Sequence, residues 1–456
     1  MSLIIKNANL LGSNITDIKI NNEKIEAIGN NLDEKDSKIY DAENKLVLPG
    51  GIDVHTHMSL DLGEYVAVDD FHTGTRAAAH GGTTCIVDHI AFGPKESYVS
   101  EMIEHYHELA NNKAIIDYSF HGAVQDARDE TLKQIEHLHI NDGIVSEKIY
   151  TTYGGKLNDA EILKILKKAK ETGTIICIHC ENDGSIQELR EEAEEQGNLD
   201  PIYHAKTRPA ETEAEAINRL IYLSEIAGFP KLYIVHTSTE LGLREIIKAR
   251  KRGVKNLFCE TCTQYLMLNE SKYIDGGNEE AIKYIMAPPL RKQSDQDFLW
   301  EGIRNGDVDV VATDHCPFFY EKEKLPHKDN FMTCPGGVPG VEERVELIIT
   351  EGLRRGIELE RLVEVLMINP SKIFGLYPRK GNIIPGADAD IIVLDEKEYT
   401  IKQDNRHSIV DYTTYEGMNS DYEVSTVLCR GNFILKDGEY LGKQGYGKFI
   451  KRKFDE

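Results

Sequence analysis

No stretch of this 456-residue chain is apolar for the ~18 residues that a membrane span requires. A membrane-spanning helix is therefore not expected within it. The first residues, Met-Ser-Leu-Ile-Ile-Lys-Asn, lack the layout of an export signal, so the chain is expected in the cytoplasm. Positive charge is also scarce. The 53 Lys and Arg are outnumbered by 77 Asp and Glu, for a formal net charge of −24. Nucleic acid and anionic membrane are therefore not expected as partners. The eight cysteines do not form the pattern of a secreted disulfide scaffold, and several sit inside apolar runs (Cys85, Cys177, Cys429). Two C-x-x-C pairs, Cys177/Cys180 and Cys259/Cys262, imitate a four-cysteine zinc site. Each pair lies along an apparent strand, where residues three apart face opposite sides, so small buried thiols are the expected reading.

What is present is β-structure at both ends and strand–helix alternation between them. Leu3–Ile5, Asp17–Ile20 and Lys24–Ile28 read as strands, as do Asp390–Asp395 and Val424–Leu435. Neither group could bury much core alone. The two ends are expected to join into one small β-sandwich domain, residues 1–48 with 379–440, followed by a tail over 441–456. Residues 49–378 carry eight apolar strands: Val47–His57, Thr83–Ile90, Ala114–Phe120, Val145–Tyr150, Thr174–His179, Leu232–His236, Leu257–Glu260 and Val308–Thr313. Amphipathic helices separate several of them. Ile162, Ile165, Leu166 and Ala169 follow helical spacing, with Asn158 or Asp159 as N-cap and Gly173 as stop. This is the pattern of an α/β (β/α)8 TIM barrel. A doubly wound open sheet is the alternative, but no Gly-rich phosphate fingerprint follows the first strand.

Barrel chemistry sits at the C-terminal ends of the strands. The first strand ends in His55-Thr56-His57, whose two imidazoles project to one side. The fourth holds Lys148. The fifth ends in His179, the sixth in His236, and the eighth in Thr313-Asp314-His315. Each alone has a bland reading: a solvated strand end, a hydrogen-bonded core histidine, a helix-capping aspartate. Together they point to a metal site. Lys148 is the odd member, because an ammonium is no metal ligand and is costly to bury unpaired. Burial lowers a lysine pKa and frees the amine, which can add CO2 to become an anionic, bidentate carbamate. The alternative is a lysine paired with a carboxylate such as Asp314.

The ordered motifs PGGIDVHTH (49–57), KIYTTY (148–153), RPAETEAEA (208–216), YIVHTS (233–238), ETCTQYL (260–266), APPLR (287–291), ATDHCPF (312–318) and PGGVPGVEER (335–344) resemble the amidohydrolase superfamily. Within it they are most similar to the cyclic amidases of the dihydropyrimidinase and hydantoinase group. Segments 117–122 and 310–316 look like its bacterial phenylhydantoinase branch. The resemblance implies a metal-dependent barrel that opens hydantoins (5-substituted, aryl, D-form) or dihydropyrimidines to N-carbamoyl amino acids. It implies two divalent ions, zinc first, bridged by hydroxide and by Lys148 carboxylated to N6-carboxylysine. His55, His57 and Asp314 would hold one ion, and His179 and His236 the other. Asp314 would carry the proton to the leaving nitrogen, and Tyr153 would donate to the developing oxyanion. Substrate would be held by Tyr153 and by main-chain groups at Ala287 and Gly336. A homotetramer is implied, with the tail from Gly445 reaching a neighbour.

The chain departs from the family pattern at Ala287 (usually Ser), Gly336 (usually Asn) and Thr263 (usually Pro). The loops around 59–68, 91–100 and 153–158 are expected to receive the exocyclic substituent, with Leu60, Leu62, Tyr65 and Phe92 forming an apolar pocket. The alternatives are an allantoinase or dihydroorotase activity and a non-catalytic assembly homologue. Met58-Ser59 after the H-x-H, where a dihydroorotase carries Arg, argues against the second of these. The filled ligand positions argue against the third.

Overall fold

A computed structural model describes residues 2–454. Five strands open the chain: β1 (Ser2–Leu10), β2 (Asn14–Asn21), β3 (Lys24–Gly29), β4 (Ser37–Asp41) and β5 (Leu46–Pro49). Eight parallel strands follow: β6 (Gly51–Thr56), β7 (Thr83–His89), β8 (Asp117–Ala123), β9 (Ser146–Tyr150), β10 (Ile175–His179), β11 (Lys231–Ile234), β12 (Leu257–Cys262) and β13 (Val310–Ala312). They neighbour one another in chain order, the arrangement of a (β/α)8 barrel. Four strands close the chain: β14 (Ile391–Thr400), β15 (Asn419–Cys429), β16 (Asn432–Lys436) and β17 (Glu439–Tyr440).

The two termini share one mostly antiparallel sheet, as expected. β5 pairs with β14 from Leu46–Leu394 to Pro49–Ile391, and β1 joins β5 on its other edge. Period-2 alternation divides the apolar residues between two cores. Val47, Ile391 and Val393 join the core of the small domain, while Leu46, Leu48, Ile392 and Leu394 join that of the barrel.

The barrel closes where the chemistry was anticipated. The Asp314 amide donates to the His55 carbonyl and the His57 amide to the His315 carbonyl, both at 2.9 Å. The helix Asp159–Thr172 is capped as its sequence indicates. Asn158 and Glu161 form a reciprocal capping box, and Gly173 ends the helix at φ 79°.

Several strand boundaries differ from the sequence reading, among them Val424–Leu435, which is the hairpin of β15 and β16, and the sixth barrel strand, which ends at Ile234, before His236. The expected strand Val47–His57 is two strands, one in each sheet. The chain crosses between sheets at Gly50, where a Cβ would overlap the Thr84 hydroxyl at 2.1 Å. The third barrel strand lies three residues later than expected, which brings His121 into it. The eighth is shorter.

Residues 445–454 dock on their own barrel. The Tyr118 amide donates to the Lys448 carbonyl (3.0 Å), and the Ile450 amide to that of Tyr118 (2.7 Å). Arg452, fully buried, donates to the hydroxyls of Ser119 (2.9 Å) and Ser146 (2.8 Å).

Candidate active site

His55 and His57 leave the end of β6 on one side, while Thr56 turns away and donates to Asp88 (2.5 Å). Asp88 also accepts from the Met58 amide (2.9 Å), which pins the turn after the second histidine. The Nε2 atoms of His55 and His57 each lie 3.1 Å from Asp314 Oδ1. Asp314 holds its position with a left-handed backbone, φ 54°. His236 and Tyr153 are left-handed too, at φ 37° and 67°. Non-glycine residues in this region cluster at functional sites, where surrounding structure holds them against the strain.

The imidazoles are oriented from behind. Glu260, buried on β12, accepts from His55 Nδ1 (2.6 Å), from Tyr233 Oη (2.8 Å) and from the His236 amide (2.9 Å). This leaves Nε2 as the His55 nitrogen that faces Asp314. Glu181 accepts from His179 Nε2 (2.8 Å) and is itself braced by Arg208, which leaves His179 Nδ1 as the free nitrogen. The His236 ring centre lies 4.5 Å from that of His179 and 5.4 Å from that of His55. Lys148 is buried on β9, its Nζ 5.3 Å from the Tyr150 ring centre. Asp314 is engaged by the two histidines and not by Lys148, against the paired-lysine alternative. All six side chains line one cavity of about 670 Å3.

Charge here is set by burial and by neighbours. Burial alone would raise the Asp314 carboxyl, but His55 and His57 outweigh it and hold it well below the usual carboxylate range. Burial opposes charge on His55, yet Glu260 and Asp314 bring it up to about 9. His236 is driven well down by burial and by its neighbours His179 and Lys148. Burial lowers Lys148 below an ordinary lysine, with Asp314 and Glu260 opposing.

Tyr153, Ala287 and Gly336 line the same cavity, as do Leu60, Leu62 and Phe92. Tyr65 is not among the lining residues: its hydroxyl contacts His327 Nε2 at 2.9 Å and its ring packs against Phe318. At Gly336 a Cβ would meet nothing within 4 Å, so this position has room for the family's usual Asn. Next to it, Gly337 is obligatory, since at φ 154° its Cβ would fall 2.2 Å from the Cys316 carbonyl. Thr263 donates to the Ala312 carbonyl (3.3 Å), a contact away from the cavity. The two C-x-x-C pairs are buried free thiols. Among the described residues the groups with metal-ligand convergence are His55–His57–Asp314 and His55–Glu260–Cys262. In the second, His55 Nδ1 is already given to Glu260.

Sequence reasoning missed the supporting carboxylates Glu260, Glu181 and Asp88, and also His89. The His89 ring lies 4.3 Å from that of His55 and 4.1 Å from that of His121, with neither ring nitrogen hydrogen-bonded. The strand-end criterion marks His89, which closes β7. Glu260 carries no local signal, being 205 residues from the histidine it orients.

Residues 46–434 match the amidohydrolase family model. A D-phenylhydantoinase of Escherichia coli is 41% identical over 459 aligned residues, covering 99% of this chain and 98% of the relative. The crystal structure of dihydropyrimidinase from Brevibacillus agri superposes with a TM-score of 0.97 at 39% identity, covering 100% of both chains. D-hydantoinase from a Bacillus species gives 0.96 at 39% identity, again covering 100% of both. Family model, full-length relatives and convergent rim residues agree: this chain is a member of the amidohydrolase family.

Proposed function

We propose that the protein is a binuclear metal-dependent hydrolase that opens the cyclic amide of 5-substituted hydantoins, aryl D-hydantoins first, or of dihydropyrimidines, giving N-carbamoyl amino acids. The observation that carries this reading is the convergence of His55, His57, Lys148, His179, His236 and Asp314 on one rim cavity. The similarity to a D-phenylhydantoinase and to dihydropyrimidinase and D-hydantoinase structures supports the substrate class.

The donor set fits a pair of zinc ions. His55 and His57 offer Nε2 atoms equidistant from one Asp314 oxygen, and His179 keeps one nitrogen free while Glu181 takes the other. His55, His57 and Asp314 would hold one ion, His179 and His236 the second, and Lys148 would bridge them. Bridging requires a bond from Lys148 Nζ to the carbon of CO2, with release of a proton. When bound, such a pair supplies a water-derived nucleophile at neutral pH and polarises the carbonyl under attack.

The chain's own groups do the rest. Asp314, ionised at neutral pH, takes the nucleophile's proton on its carboxylate and returns it to the departing ring nitrogen. Tyr153 donates its hydroxyl to the oxygen on which charge develops. Main-chain groups at Ala287 and Gly336 hold the ring imide, so the missing Ser and Asn side chains cost little. The expected assembly is a homotetramer, read by light scattering.

The test is ring opening by zinc-loaded protein of phenylhydantoin, hydantoin, dihydrouracil, allantoin and dihydroorotate. Fastest turnover of the aryl hydantoin supports the reading. Preference for dihydrouracil moves the protein to the dihydropyrimidine arm, and efficient turnover of dihydroorotate contradicts it.

A further inference from the structure

One wall of the rim cavity carries a charge that the ring-opening chemistry does not use. The helix Asp183–Glu195 begins just after Glu181 and presents Gln187 and Arg190, one turn apart, to the cavity. Arg208 stands on the same wall, but its charge is spent on Glu181. Arg190 has no such partner. Among the described residues no carboxylate lies within ion-pair distance of it. Its contacts are a long bond from Nη2 to the Met332 carbonyl (3.4 Å) and the face of Phe331, 5.5 Å from guanidinium to ring centre. Both Phe331 and Met332 line the cavity. Arg208 leaves its Nε buried without a hydrogen-bond partner on this wall.

A half-buried guanidinium gains little from a stretched carbonyl contact, and a planar fork of donors is suited to bidentate capture of a carboxylate. A substrate arm that placed a carboxylate here would satisfy Arg190 and cover Phe331 with its stem. From this geometry we infer that Arg190 is a specificity-determining residue, and that the preferred cyclic amides carry an acidic group at the end of their exocyclic arm.

This rests on the cyclic-amide reading of the site, so the experiment separates the two. Two matched pairs are offered to the zinc-loaded enzyme: 5-(2-carboxyethyl)hydantoin against its carboxamide, and 5-(4-carboxyphenyl)hydantoin against its carboxamide. The result expected is a kcat/KM ratio of acid to amide of about 10- to 100-fold in at least one pair, the worth of a charge-assisted bond. Arg190→Gln brings that ratio to about one, and Arg190→Lys, which keeps the charge but loses the fork, falls between. Equal rates on acid and amide in the wild type overturn the inference, and so does an Arg190→Gln variant that slows both members alike. Equilibrium binding of the same four compounds is measured by calorimetry in parallel. If no ring is opened, the proposed function fails. The acid-to-amide affinity ratio, and its loss in Arg190→Gln, then still decides the role of Arg190.

Discussion

Two clusters of buried charge hold this molecule together and make it work, and they are built on opposite logic. The first lies where barrel and terminal sheet meet. Lys380 Nζ reaches Asp117 (2.8 Å), Asp390 (2.6 Å) and Asp388 (3.2 Å), and Arg430 Nε reaches Asp117 at 3.0 Å. Asp388 also takes Lys24 (2.6 Å) and Arg379 (2.8 Å). Every charge there has its opposite, as burial demands. The second cluster is the rim of the barrel. There His89 has no partner for either nitrogen and His57 none for Nδ1, while His236 and Asp314 sit on a left-handed backbone. A chain able to satisfy the first cluster so completely has the means to satisfy the second. Unpaired groups and strain at the rim mark where a ligand set, not stability, is served.

The sharpest way to break this contrast is to strike each cluster once. Asp314→Asn removes a ligand oxygen's charge and the proton carrier together. It is expected to lower kcat/KM for ring opening by more than about 10³-fold while the thermal midpoint holds or rises. Lys380→Met does the reverse by stranding buried Asp390, whose one ion-pair partner among the described residues it is. Denaturant unfolding is expected to show a loss of about 3–5 kcal/mol, with turnover per folded molecule retained. An Asp314 variant that unfolds, or a Lys380 variant that folds normally, would erase the distinction.

A smaller effect tests the carboxylates behind the rim. Glu260→Gln keeps the shape but weakens the hold on His55 Nδ1. Zinc affinity is expected to fall about 10- to 100-fold, read by competition with a chromogenic chelator. The smallest effect belongs to the seam. Burial pushes Asp388 up, but Lys380, Lys24 and Arg379 outweigh it and hold the carboxyl at about 2. Its folded value lies below the unfolded one, so its stabilisation is complete above the ordinary carboxylate range. It is lost as pH falls from about 4 to about 2. The thermal midpoint of Asp388→Asn should therefore drop less steeply over that window than that of the wild type.

The contrast also explains what the sequence made legible. Ligand-type residues at strand ends are local features: His55, His57, His179, His236 and Asp314 announce themselves because each stands at or just past the end of an apolar run. The barrel was legible for the same reason, since eight apolar strands alternate with capped helices. What orients the rim was not, because Glu260 and Glu181 reach their histidines only after the barrel closes. The seam was hidden likewise, with Asp117 and Lys380 lying 263 residues apart. The tail is rich in Lys and Arg, yet Arg452 is buried and donates to two serine hydroxyls that no spacing rule connects to it. Pocket loops were legible in part: Leu60, Leu62 and Phe92 line the cavity, and Tyr65 is diverted by His327.

The most direct test of the rim as a binuclear centre is a count of metal equivalents on protein purified without chelator. Wild-type protein should hold close to two per chain. Lys148→Ala should hold one or fewer, with added short carboxylic acids restoring part of the second by standing in for the carbamate. A wild-type content near zero, or a Lys148→Ala variant that still binds two, would contradict the account.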